Sequence, residues 1–329
     1  MAFPKLLAAH LSTYLIKHWA LGHKRFPMVL MLEPTELCNV SCAGCGRIRE
    51  YRDCLDARLS VDDCSRAVDA TGAPTVTITG GEPLLHPDIE EIVNVVLSRK
   101  KHIHFCTNGQ ILAESLDKFK PGPYMSFVVH VDGMEETHDR GTGKAGAFKK
   151  AVEAISEATK RGFRVYTNTT VFTDTDFHEI DALFSELTRR GVSGLMISPA
   201  YDFEIVGGTR FLSREEISRA FQPLDEFRKK YSFYNTSAYI DFLLGRKDVP
   251  CMPWSTPTLT PKGWRSPCYL LADEHYGSYR ELMEKTDWDR YGVGKDRRCA
   301  NCMVHSGFEA SLIDHARRNL PELFQLVRR

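Results

Sequence analysis

From Val29 to Ser198, short runs of β-branched and apolar residues alternate with stretches of helical period, and this alternation constrains the chain more than any other feature. Strands are predicted at Val29–Leu32, Thr75–Thr79, Ile103–Cys106, Ser126–Val131, Arg164–Val171 and Gly194–Ser198, with helices near 60–71, 87–100, 110–118, 146–161 and 177–190 between them. A helix between successive strands demands parallel strands joined by right-handed crossovers, in a doubly wound sheet or a full or partial barrel. Functional groups then belong at the carboxyl ends of the strands. Past Pro199 the alternation stops and aromatics, Pro and Gly become more frequent. The chain is therefore read as an N-terminal amphipathic helix over 1–28, an α/β unit over 29–212 and a smaller module over 213–329.

Directly after the first strand stand Cys38, Cys42 and Cys45, three thiols within one loop. Thiols so spaced converge on one face of an iron–sulfur cluster, with zinc as the competing metal. Three ligands on a four-iron cluster leave one iron open for chemistry. After the second strand comes Gly80-Gly81-Glu82-Pro83. Paired glycines let a ligand approach the backbone closely, and the adjacent carboxylate is able to accept hydrogen bonds from an ammonium group.

Together the CxxxCxxC loop and the GGEP turn resemble the radical S-adenosylmethionine (radical SAM) superfamily. The resemblance implies an α/β fold, a partial (β/α)6 barrel, in which Cys38, Cys42 and Cys45 hold a [4Fe–4S] cluster. It implies that Gly80, Gly81 and Glu82 meet the methionine end of SAM, and that Asn108, Asp132, Asn168 and Ser198 contact SAM from later strands. Each of those four would also serve simply to cap a turn. Gly44 departs from the superfamily, where an aromatic residue usually precedes the third cysteine.

Four further cysteines, Cys251, Cys268, Cys299 and Cys302, form a second pattern in which a hairpin-like pair is followed by Cys-x-x-Cys. Four thiolates enclose a cluster completely, and zinc accepts the same set. The arrangement resembles the small C-terminal twitch module of radical SAM dehydrogenases and maturases, which implies an auxiliary [4Fe–4S] cluster. Cys54 and Cys64 fit neither pattern and are read as packing residues.

Over nearly its whole length the chain also resembles the adenosylhopene-forming (HpnH-like) family, through FPMVLMLEP, GEPLLHP, HVDG, RGFRV, ISPAY and the C-terminal PCYL and RCANCM. In that family the adenosyl radical adds to an alkene, and a strand-three cysteine, here Cys106, is the implied donor of the closing hydrogen. Cys106 also reads as a small buried residue ending a strand. Of the departures at Thr79, Gly109, 206–210, 263–268 and 305–309, several fall in loops expected at the barrel mouth. Charges at Glu204, Arg210 and Arg265 suit a polar substrate better than a hydrocarbon, because a buried unpaired charge is costly. The same charges also suit a salt-bridged lid. A natural-product relative acting on a sugar or nucleoside is therefore expected, such as a cytosylglucuronate decarboxylase with Arg210 or Arg265 gripping the carboxylate; adenosyl addition to an alkene is the alternative.

Lys plus Arg balance Asp plus Glu at 43 each, so nucleic acid is not an expected partner. A small-molecule substrate and a flavodoxin- or ferredoxin-type electron donor are. Ten cysteines and no recognisable secretory leader point to a reducing, cytoplasmic setting. The periodic stretch Leu6–Leu21 is read as a helix closing one end of the barrel, with contact to a membrane surface open to it but not required.

Overall fold

The computed structural model describes residues 4–207 and 210–316. Nine strands form one sheet in the order β6-β5-β4-β3-β2-β1-β7-β8-β9. The first six are β1 (Val29–Thr35), β2 (Thr75–Gly80), β3 (His102–Thr107), β4 (Met125–His130), β5 (Arg164–Val171) and β6 (Gly194–Pro199), each parallel to the next. Their order never reverses. With right-handed crossovers, an unreversed order puts every connecting helix on the same side of the sheet, unlike a doubly wound fold.

The strands show what that one-sided cover does to the sequence. Leu30, Leu32, Val76, Ile78, Phe105, Phe127, Val165 and Ile197 face the helices and belong to the main core. Their alternates, including Glu33, Thr79, Cys106, His130, Asn168 and Ser198, lie on the other face by the period of two. The helix-covered face holds the sheet together, and the opposite face is free to carry chemistry. The helices begin and end on local signals. Ser60 and Asp63 form a reciprocal capping box on Val61–Thr71, and Gly72 ends it with φ 61°. Asp176 caps Phe177–Arg189 through the His178 amide.

Two elements depart from the sequence expectation. A helix at Glu135–Thr142 follows β4, where none was predicted. The C-terminal segment does not stand apart from the sheet: β7 (Thr258–Thr260) pairs parallel with β1, and β8 (Gly263–Pro267) and β9 (Ala272–Tyr276) extend that edge antiparallel. This pairing brings the later cysteines onto the side of the sheet nearest the loop after β1.

Candidate active site

The loop from Glu36 to Gly46 leaves β1 and is held from two sides. Gly81 packs so tightly beneath it that a Cβ there would lie 2.3 Å from the Leu37 carbonyl oxygen, and Gly80 adopts φ +110°, so the turn requires glycine at both. From β3, Asn108 donates to Asn39 at 2.7 Å and to the Cys38 sulfur at 3.7 Å. Burial raises the Cys38 and Cys42 thiols above their ordinary values, and the neighbouring thiols add to the shift, Cys45 for both and Cys38 for Cys42. Metal binding at such thiols would release their protons. The departure at Gly44 has a spatial explanation: a Cβ there would meet the Phe172 ring at 2.7 Å. An aromatic side chain from the end of β5 fills the space that a side chain at position 44 would need.

Glu82 belongs to the turn itself. It is fully buried, and its carboxylate accepts from the Leu84 amide at 3.1 Å, the Thr107 hydroxyl at 3.0 Å and the Asn108 amide at 2.8 Å. Burial pushes it up to about 7. These bonds brace the ends of β2 and β3. Ser198 is likewise buried, its oxygen accepting from the His305 amide at 3.3 Å and lying 3.3 Å from the Tyr239 hydroxyl. Asp132 is held below the usual carboxylate range: burial works against this, but His130 at 2.8 Å and the Thr170 amide at 2.8 Å outweigh it. Asn168 differs from these three, because its buried Oδ1 has no hydrogen-bond partner.

Cys106 sits on the inner face opposite Val128, in one row with Tyr166. It packs with Val128, Tyr166, Met196 and Tyr234, and the two tyrosine rings lie 4.5 Å apart. Burial pushes its thiol up to about 12, so it keeps its hydrogen at neutral pH. Tyr234 is hydrogen-bonded to the His104 ring at 2.9 Å.

The charges chosen from sequence find other partners. Arg265 is 1% exposed, and its guanidinium donates to the Leu271 carbonyl at 2.8 Å, the Tyr51 hydroxyl at 2.8 Å, Glu50 at 3.0 Å and the Leu270 carbonyl at 3.2 Å. Four of its five N–H donors are thereby committed to protein groups. Arg210 pairs with Asp174 at 3.1 Å and lies over the Phe172 ring at 4.8 Å. Glu204 pairs with Arg297 at 3.1 Å on the surface, at the rim of a recess of about 360 Å³. All three side chains are paired.

Sequence reasoning missed a buried charged group beside the cysteine loop. Glu33 and Glu36 are both 0% exposed, and Arg47 pairs with Glu33 at 2.9 Å, donates to the Tyr269 carbonyl and stacks on the Tyr269 ring at 4.3 Å. Burial and then the Glu33 charge push Glu36 up to about 9. Glu33 was detectable as the single charge interrupting the apolar run Val-Leu-Met-Leu; Arg47 had no such mark.

Cys251, Cys268, Cys299 and Cys302 come together around one cavity of about 40 Å³. Arg47, two residues after Cys45, donates to the carbonyl of Tyr269, the neighbour of Cys268, so the segments that carry the two thiol groups are in contact. Among the described residues no three Cys, His, Asp or Glu side chains converge on a point that one metal ion would fill. The fit to iron–sulfur clusters rests on the donor chemistry, three free thiols in one braced loop and four around one cavity.

Comparison with known proteins gives two family-model matches. Residues 32–187 match the radical SAM superfamily, and residues 195–326 match a domain of unknown function, DUF3463. The chain is 31% identical over 150 residues to an AdoMet-dependent heme synthase of Methanosarcina barkeri, spanning 44% of this chain and 43% of that protein. It is 24% identical over 263 residues to a GTP 3′,8-cyclase of Aliarcobacter butzleri, covering 74% and 80% of the two chains. Among solved structures, Streptococcus suis SuiB bound to its precursor peptide SuiA superposes with TM-score 0.64 at 14% identity, over 94% of this chain and 76% of that one. AdoMet-bound anSMEcpe superposes with TM-score 0.63 at 17% identity, over 90% and 99%. At these identities the structural likeness speaks for the fold.

Proposed function

We propose that this chain, a member of the radical SAM superfamily through residues 32–187, acts on an uncharged substrate held against the inner face of the sheet, with Cys106 as hydrogen donor. The superfamily uses a [4Fe–4S] cluster and SAM, which when bound supply a 5′-deoxyadenosyl radical. Cys38, Cys42 and Cys45 are the proposed ligands of that cluster. Gly80 and Gly81 keep the turn beneath it close, and Asn108 orients its loop. Cys251, Cys268, Cys299 and Cys302 are the proposed ligands of an auxiliary cluster in a twitch-like module.

The observation that carries the substrate reading is the occupied state of both arginines. A carboxylated sugar entering a water-poor site needs a fixed cation, and Arg265 is buried with four of its five N–H donors on protein groups while Arg210 is paired with Asp174. Decarboxylation of a sugar acid thereby loses its clamp. Adenosyl addition to an alkene, as in the adenosylhopene-forming family, makes no such demand. Cys106 supports this reading, because a half-buried thiol that keeps its hydrogen is placed among apolar and aromatic side chains. A second reading, hydrogen abstraction from an uncharged sugar or nucleoside, is favoured by the unpaired Asn168 Oδ1, which would accept from a hydroxyl.

Anaerobic incubation with SAM, a flavodoxin or chemical reductant and either a prenyl alkene or a sugar acid, followed by mass spectrometry, tests the proposal. An adenosyl adduct of the alkene is expected. Loss of carbon dioxide from the sugar acid with release of free 5′-deoxyadenosine would overturn it.

A further inference from the structure

The helix Lys5–Ala20 is apolar on two faces, and the fold uses only one of them. Leu7 and Leu15 are 1% and 5% exposed; Leu15 packs with Phe26, Met28 and Ala310 below the sheet. His10 meets His102 at the start of β3, and the Tyr14 hydroxyl donates to the Pro27 carbonyl, which fixes the helix against the amino ends of the strands. The opposite side carries Leu6, Ala9, Thr13, Ile16 and Ala20, at steps of three and four residues, and all five are exposed. Ile16 is 62% exposed, and Leu21, just past the helix, is 59% exposed. The Thr13 hydroxyl is already satisfied on the Ala9 carbonyl at 3.0 Å, so it adds little polarity to the stripe.

Lysines flank this stripe. Steps of 100° per residue place Lys5 on one border and Lys17 on the other. Neither has an ion-pair partner among the described residues. The sequence holds no Asp or Glu before Glu33, while Lys5, Lys17, Lys24 and Arg25 are all basic. An exposed apolar stripe between lysines, on a segment without acidic residues, matches an anionic lipid surface: the apolar side chains enter the acyl boundary and the lysine stems let the ammonium groups reach the phosphates. No helix among the described residues is long and apolar enough to span a bilayer, so the contact is interfacial.

We propose that this outer face of the N-terminal helix docks the protein on anionic phospholipid membranes. The test is co-sedimentation of the full-length, cluster-reconstituted protein with vesicles of phosphatidylcholine alone and of phosphatidylcholine mixed with phosphatidylglycerol. Binding to the mixed vesicles is expected, weakening with salt, with much less on the neutral ones. The double variant Leu6→Glu, Ile16→Glu should bind about tenfold more weakly, as should Lys5→Glu with Lys17→Glu. All four positions are exposed, and unchanged circular dichroism, melting and iron content would verify that the variants fold. No binding by the wild type, or binding indifferent to lipid charge and to both variants, would overturn the proposal. So would a wild-type dimer in solution that Ile16→Glu dissociates, since the face would then belong to a second copy.

Discussion

Arg265 and Arg210 have the same side chain and drew the same expectation from the sequence, yet the fold gives them opposite surroundings. Arg265 is enclosed, with its ion-pair partner Glu50 supplied from 215 positions away. Arg210 is 42% exposed and its partner Asp174 is 55% exposed. Replacing Arg265 with Met should therefore destabilise the protein by about 3–5 kcal/mol, because the partners left behind are not resolvated. Replacing Arg210 with Met should cost no more than about 1 kcal/mol. Denaturant unfolding of both variants is the measurement; equal midpoints would contradict the distinction. The same comparison explains why the sequence could name the arginines but not their work. A charge is visible in a sequence, whereas a partner that arrives through the pairing of β1 with β7 is not. Cysteines are different, since their clustering is itself the message, and the four that line one cavity were found by spacing alone.

Elements divide in the same manner. The six parallel strands were legible from their apolar runs: β1, β2, β4 and β6 are buried almost end to end, and β3 and β5 alternate in part between buried and half-buried residues. The helix Glu135–Thr142 was not, because it buries only His138 and Thr142 and has no apolar stripe to read. Strands β7, β8 and β9 are three to five residues long and owe their existence to the exposed edge of β1, a tertiary cause without a local signature. The turn after β2 was found as a motif, and its physical reason is its closeness to the cysteine loop. Gly81→Ala would force the Leu37 carbonyl away and should lower the iron content on reconstitution, whereas Ser60→Ala, which removes only a helix cap, should cost about 1 kcal/mol and leave iron unchanged. The auxiliary site has its own iron test. Reconstituted protein should hold about eight iron atoms, and removing Cys299 and Cys302 together should halve that number. A wild-type count near half, or one zinc in place of the second cluster, would contradict the assignment.

For the whole molecule, the buried titratable groups set how stability follows pH. His102, His104, His138, His275 and His305 are each lowered to about 4, with burial the largest cause. Their contribution is complete above the unfolded value of 6.5 and is lost as pH falls through about 4. Glu82 and Glu309 are raised by burial to about 7 and Glu36 to about 9, so their contribution is complete below the unfolded value of 4.5 and is lost as pH rises through those values. The metal-free, reduced protein should thus melt highest near neutrality and lower on both sides, the acid side because the imidazoles outnumber the carboxyls. A melting point that continues to rise below about pH 5 would contradict this balance. The chemistry is proposed for the sheet face opposite the helices, with the Cys106 thiol as the source of the final hydrogen. That thiol exchanges its proton with solvent, so the reaction carried out in deuterium oxide tests the claim directly. A product with one deuterium bound to carbon is expected, and none when Cys106 is replaced by Ala. A wild-type product without solvent deuterium would contradict it.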